Sequence, residues 1–151
     1  GNFEFWTLFR PKIEIINTSK NPNPSYETSG SAGMDLRSNE DAIIKKGTSI
    51  VIGTGLFMEI PKGYEGQIRS RSGLSAKKQV IVLNSPGTID ADYRGEIKII
   101  LINLGKSHYK VEKGDRIAQI VFAQCEQMQF KKVQSLEDTD RGSGGLGSTG
   151  I

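Results

Sequence analysis

Hydrophobic and polar positions change over in short bursts along this chain, and few of them hold a helical period. Lys12-Ile13-Glu14-Ile15 and Gln67-Ile68-Arg69 alternate with period two. Ser49 to Met58 mixes β-branched residues with Gly. Val80 to Leu83, Ile97 to Leu104 and Ile117 to Ala123 are β-rich runs, with Gly, Pro and Asn at the edges of the first two. Short strands with turn signals between them predict an all-β sandwich or barrel. One short helix is expected over Ser72 to Gln79, with Ser72 as its N-cap. There is no βαβ alternation, so a Rossmann-type nucleotide site is not expected. Asn21-Pro22-Asn23-Pro24 reads as a loop.

The ends read differently. Arg141 to Gly150 holds five Gly in ten residues. Such a stretch cannot pack a core and should be mobile when alone. The division is therefore a β domain over residues 1–140 and a flexible tail over 141–151. Residues 1–10 form an N-terminal arm whose role the sequence does not give. Its start is too short and too acidic for a signal peptide.

Composition narrows the function classes. The chain has 151 residues, 36% of them hydrophobic, and a net charge of +3. That balance is too even for electrostatic binding of nucleic acid. A small β-barrel of the nucleic-acid-binding kind would also need a basic stripe and interleaved aromatics. One Cys excludes an internal disulfide and a Cys-cluster zinc site. Cys125, in the apolar run from Ile120, is expected to be a buried thiol in a reducing compartment. No apolar run nears the roughly 20 residues of a membrane span. The expected location is cytoplasmic, with no membrane partner.

Three stretches could carry chemistry. Arg69-Ser70-Arg71-Ser72-Gly73-Leu74 puts two guanidinium forks beside the free amides of a helix start, which suits phosphate oxygens. It also reads as a solvated strand end. Asn84 to Glu96 reads as a hairpin in which Asp90 and Asp92 point the same way on an extended strand. One of them could act as a general base, or the segment is simply a polar tip. The tail, with Arg141, Ser148 and Thr149, could close over an anion or be a disordered end. His108 sits in a polar turn with no nucleophile-elbow pattern near it.

Taken in order and spacing, five motifs resemble the homotrimeric deoxyuridine triphosphatase (dUTPase) family. They are Ala32-Gly33-Met34-Asp35-Leu36, Gly66 to Leu74, Gly87-Thr88-Ile89-Asp90-Ala91-Asp92-Tyr93-Arg94-Gly95, Lys113-Gly114-Asp115-Arg116-Ile117-Ala118-Gln119, and the tail from Arg141. The resemblance implies a jelly-roll-like β fold that forms a threefold trimer. Two neighbouring chains build each active site and the third chain's tail covers it.

The resemblance further implies hydrolysis of dUTP to dUMP and pyrophosphate, with Mg²⁺ on the triphosphate. That reaction keeps uracil out of DNA and supplies dUMP for thymidylate synthesis. Asp90 would activate the water that attacks the α-phosphorus. Tyr93 would pack on the deoxyribose. Asn84, Gly87, Thr88, Ile89 and Lys98 would surround the uracil. Arg71, Ser72 and Gly73 would hold the α- and β-phosphates, with Gln119 beside them. Arg141 would clamp the γ-phosphate, joined by Ser148 and Thr149, with Gly145, Leu146 and Gly147 in the tail that closes over the site. No direct protein ligand to Mg²⁺ is implied; Asp35 would meet it through water. The family usually has an aromatic residue where Leu146 stands, stacked over the uracil; Leu can cover the base but cannot stack as a π-face. Two alternatives follow. One is a catalytically weak nucleotide-binding or regulatory trimer of the same fold. The other, a deoxycytidine triphosphate deaminase, lacks its acid/base Glu motif here.

Overall fold

A computed structural model describes residues 9–150. It contains ten strands and one helix among those residues. They are β1 Glu14–Asn17, β2 Met34–Arg37, β3 Ala42–Ile44, β4 Ser49–Glu59, β5 Tyr64–Arg69, α1 Ser72–Lys78, β6 Val80–Val82, β7 Gly87–Ile89, β8 Glu96–Asn103, β9 Tyr109–Val111 and β10 Arg116–Gln124.

Two four-stranded sheets run in the orders β1-β4-β8-β6 and β2-β10-β5-β7, and β3 pairs with β9 alone. All pairings are antiparallel. The sheets are open, so of the two expected architectures this is the sandwich. The core alternates as the pleat demands. In β8, Ile97, Ile99, Leu101 and Asn103 point inward, and Lys98, Ile100 and Ile102 point out. Ile52, Val80, Val82, Ile117 and Ile120 complete the interior.

Asn103 is the polar centre of one end of this core. Its side chain is fully buried. Nδ2 donates to Ile44 O at 2.8 Å and Ser107 O at 2.9 Å, and Oδ1 accepts from Gly105 N. Those bonds tie β8 to β3 and to the turn before β9.

Three local expectations change. Ser72 is not the N-cap. Arg71 holds that position in extended conformation, and no side chain caps it. Its guanidinium is committed elsewhere, as described below, and Ser75 Oγ instead donates to Arg71 O at 2.9 Å. The helix ends at Lys78, with Gln79 in a left-handed C-cap at φ 53°.

Asn84 to Glu96 is not one hairpin tip. β6 and β8 do pair, but the chain between them crosses to the other sheet, where β7 joins the edge of β5. Asp90 and Asp92 are not on an extended strand. Tyr93 N donates to Asp90 O at 3.1 Å, closing a turn. Asp is favoured at the first position of such a turn.

Cys125 is exposed. The chain leaves the sheet there, after Cys125 N donates to Gly63 O. Beyond it, residues 126–140 carry no strand or helix and lie open. Met128 is 82% exposed, Phe130 103% and Leu136 84%. The packed sandwich thus stops well before Arg141. From Thr139 to Gly150 the chain forms successive turns bonded only locally: Gly142 to Thr139, Gly144 to Arg141, Ser148 to Gly145 and Gly150 to Gly147. Among the described residues no helix is long and apolar enough to cross a membrane.

Candidate active site

The phosphate-binding candidates assemble around one row of three strands. Gln119 of β10 lies opposite Asp35 of β2 on one side and Arg69 of β5 on the other. Residues directly opposite share a face. Gly33 lets this row close up: a Cβ there would stand 2.7 Å from Gln119 Oε1 and 3.2 Å from Ile120 O. Gln119 Nε2 donates to Ser70 O at 3.0 Å, and Ser70 Oγ accepts from Val82 N at 2.9 Å. The start of α1 is thereby pinned to both sheets.

Arg71 then turns back over the row. Its Nε donates to Asp35 Oδ1 at 3.1 Å, and its Nη1 to Arg116 O at 3.3 Å. Arg116 Nη1 stands 3.7 Å from Asp35 Oδ2. One carboxylate sits between two guanidinium groups. Tyr109 lies in the same neighbourhood. Burial pushes its phenol above the ordinary 10, helped by the negative Asp115 and opposed by Arg71. At the helix start, the amides of Ser72 and Gly73 precede the first helical bond, Ser75 N to Arg71 O. A side chain on Gly73 would meet nothing within 4 Å, so that backbone is open to approach.

The second cluster lies along β7 and the turn after it. Gly87 is buried against Ile68, with Asn84 beside it; Thr88 and Asp90 are exposed. The Tyr93 hydroxyl donates to Glu96 O at 2.8 Å, which lays the ring over Gly95. A Cβ on Gly95 would fall 2.5 Å from that hydroxyl and 2.6 Å from Cζ. Arg94 Nη1 donates to Ala91 O at 2.7 Å and Nη2 bonds Glu59 at 3.0 Å, bracing the turn. Among the described residues the Asp90 carboxylate has no ion pair or hydrogen bond. Lys98 is exposed on β8, in the other sheet, opposite Gly53.

The dUTPase family pattern matches residues 19–150. The chain belongs to the dUTPase family. A deoxyuridine 5′-triphosphate nucleotidohydrolase of Rickettsia bellii is 52% identical over 147 residues, covering 96% of this chain and 98% of that protein. One from Finegoldia magna is 49% identical over 141 residues, covering 92% and 99%. Among solved structures, a Staphylococcus bacteriophage 80alpha dUTPase G164S mutant with dUpNHpp superimposes with a TM-score of 0.86 at 27% identity, covering 94% of this chain and all of that one. The 80alpha dUTPase with dUPNHPP gives 0.83 at 29%, with the same coverage.

Register decides how the dUTPase motifs relate within one chain. Ile89 lies opposite Gly66 and Gly87 opposite Ile68. Asp90 therefore follows on at the Glu65 end of β5, whereas α1 and Arg71 follow Arg69 at the other end. The strand from Glu65 to Arg69 alone spans about 13 Å. The structure brings Asp35, Arg71 and Gln119 together and sets Asp90 and Tyr93 past the opposite end of β5, with Asn84, Gly87, Thr88 and Ile89 leading along β7 from one to the other. It does not join the two groups in one chain. Arg141, Gly145, Leu146, Gly147, Ser148 and Thr149 join neither. Arg141 Nε bonds Gly144 O at 2.8 Å, and Leu146 is fully exposed.

Sequence reasoning assigned no role to Arg116, although it lies inside the fourth dUTPase motif. Three residues apart on a regular strand, Arg116 and Gln119 should face opposite ways. A bulge prevents this. Arg116 pairs with Arg37 and Ala118 with Leu36, so one extra residue sits between them. Ile117 and Ala118 are both buried in consequence, and Arg116 reaches Asp35. Two adjacent apolar residues between polar ones were the available signal.

Proposed function

We propose that this chain hydrolyses dUTP to dUMP and pyrophosphate in sites shared between chains of a threefold trimer. The observation that carries the shared site is the register of β5 with β7, which keeps Asp90 and Arg71 at opposite ends of one strand. A second chain supplies the missing half. The open apolar stretch with Met128, Phe130 and Leu136 fits an arm that leaves its own sandwich for a neighbour. The tail, whose hydrogen bonds among the described residues stay within it and the turn at Thr139, fits a cover for a site on another chain.

In this reading Asp90, with no ion pair among the described residues, takes a proton from water as the water oxygen attacks the α-phosphorus. The bond from that phosphorus to the α,β-bridging oxygen breaks, and pyrophosphate leaves. Arg71 and the amides of Ser72 and Gly73 hold the α- and β-phosphates, and Gln119 lines their path. Tyr93, fixed by Glu96 O and Gly95, packs on the deoxyribose where a 2′-hydroxyl would stand. Asn84, Gly87, Thr88, Ile89 and Lys98 surround the uracil. Arg141 meets the γ-phosphate, and Gly145 to Thr149 close the site against bulk water. Positioning and electrostatics supply most of such catalysis.

The donor set fits a Mg²⁺ carried in on the triphosphate rather than held in a protein cage. Among the described residues no three His, Cys, Asp or Glu come together as metal ligands. Both oxygens of Asp35 already face arginines, which leaves it a water-mediated role. Magnesium, when bound, offsets the phosphate charge and aligns the oxygens.

The test is pyrophosphate release from dUTP, dTTP, dCTP and UTP with Mg²⁺, for this chain and for Asp90→Asn. Release from dUTP alone, lost in the variant, is expected. Equal turnover of dTTP or UTP, or unchanged kcat in Asp90→Asn, defeats the assignment.

A further inference from the structure

Among the described residues nothing bonds the Asp90 carboxylate, so its place is set by the backbone that carries it. That backbone is the crossing from Asp90 to Gly95, between the end of β7 in one sheet and the start of β8 in the other. No residue of the crossing lies in a strand or helix. Two of its bonds are local: Tyr93 N donates to Asp90 O, and the Tyr93 hydroxyl to Glu96 O. The remaining tie is the Arg94 guanidinium. Nη1 donates to Ala91 O at 2.7 Å and to Tyr93 O at 3.3 Å. Nη2 donates to Glu59 Oε1 at 3.0 Å. Among the described residues, this is the one side-chain bond that joins the crossing to an element other than β7 and β8.

Register accounts for the pair. Phe57 of β4 lies opposite Glu96 at the start of β8. Continuing that register by two residues sets Glu59 opposite Arg94, and opposite charges across strands attract. On its other side Glu59 lies opposite Glu14 of β1, so Arg94 also offsets two facing carboxylates. A planar fork suits the place: one nitrogen meets the carbonyls and the other the carboxylate, which an ammonium on a single stem cannot do. Both side chains are about half exposed, 54% and 52%, so the pair adds little to stability. Its effect is on geometry. We propose that Arg94 and Glu59 are positioning residues for the hydrolysis: they clamp the crossing to β4 and so hold Asp90 in line with its water. That role rests on the one proposed for Asp90. Displacing a reacting group by about 1 Å can cost on the order of a hundredfold in rate.

The experiment takes two readouts on the full chain. Amide hydrogen exchange without nucleotide reads the clamp alone. In Arg94→Ala and in Glu59→Ala the Tyr93 amide should exchange about fivefold faster, the value of one hydrogen bond, while the amides of β5 and β8 hold. Steady-state hydrolysis of dUTP reads the consequence. In both variants kcat should fall about tenfold, with KM and the thermal midpoint unchanged. Arg94→Lys should lose as much as Arg94→Ala. Glu59→Gln keeps an acceptor for Nη2 and should restore most of kcat. The double alanine variant should be no slower than Arg94→Ala, because the two residues act as one unit. Unchanged exchange at Tyr93 in both alanine variants overturns the clamp. Unchanged kcat, or a kcat that falls only in step with the thermal midpoint, overturns the positioning role. A native chain that released no pyrophosphate from dUTP would instead defeat the proposed hydrolysis and the role built on it, and exchange would still decide the clamp.

Discussion

Arg71 Nε donates to Asp35 Oδ1 at 3.1 Å, and both side chains are about three-quarters covered. The pair fixes the Arg71 fork beside the start of α1, where the phosphates are proposed to bind, and uses up its Nε. Asp35 also faces Arg116. Asp35→Ala leaves two guanidinium groups facing each other without a counter-charge. We expect a loss of about 2 kcal/mol in urea unfolding, in the range for a charged hydrogen bond. KM for dUTP should rise with it. Asp35→Asn keeps one acceptor and should fall between the two.

Gly95 is the floor under Tyr93. Gly95→Ala places a methyl where the phenol ring lies, so the ring must swing away from Glu96 O. In the proposed site the ring would then no longer pack on the deoxyribose. Discrimination between dUTP and UTP, measured as a ratio of kcat/KM, should narrow. Overall stability should change by no more than about 1 kcal/mol, because Tyr93 lies at the surface, 41% exposed.

The tail predicts the opposite pattern. Its hydrogen bonds from Arg141 onward stay within the tail and the turn at Thr139. Ending the chain at Asp140 should leave the thermal midpoint unchanged and lower kcat/KM for dUTP. Leu146→Phe should raise kcat/KM, since an aromatic ring can stack on a base where Leu only covers it. Much poorer kcat/KM in that variant argues against Leu146 lying over the uracil.

Asn103 tests the fold alone. Asn103→Ala leaves Ile44 O, Ser107 O and Gly105 N without their partner, the first of them in the core. A loss of about 3 kcal/mol is expected from denaturant unfolding. The isolated β3–β9 pair should be the part whose amide protons lose most protection.

The long strands were legible because their periods run long enough to count. Ser49 to Glu59, Glu96 to Asn103 and Arg116 to Gln124 all fall on runs read from the sequence, and Val80 to Val82, only three residues long, showed because all three are β-branched. β3, β7 and β9 are three residues each, too short to show a period, and β2 is four. The Asp90 turn was hidden because its neighbours pair across to a different sheet, a non-local choice no window reveals. Of the site, the residue types at Arg71, Gln119 and Asp90 stood out as motif members. Arg116 escaped because a bulge, not the alternation, aims it. Cys125 was misplaced because an apolar run was taken as buried to its end, whereas the chain leaves the sheet at that point.

In the proposed trimer each active site is built from two chains, one giving Asp90 and the other Arg71. Asp90→Asn and Arg71→Ala chains, each inactive by itself, should be unfolded together, refolded as a mixture and assayed with dUTP. Random assortment into trimers gives about one site in four with both native residues, so about a quarter of the native rate should return. A mixture no more active than its two parents contradicts the shared site.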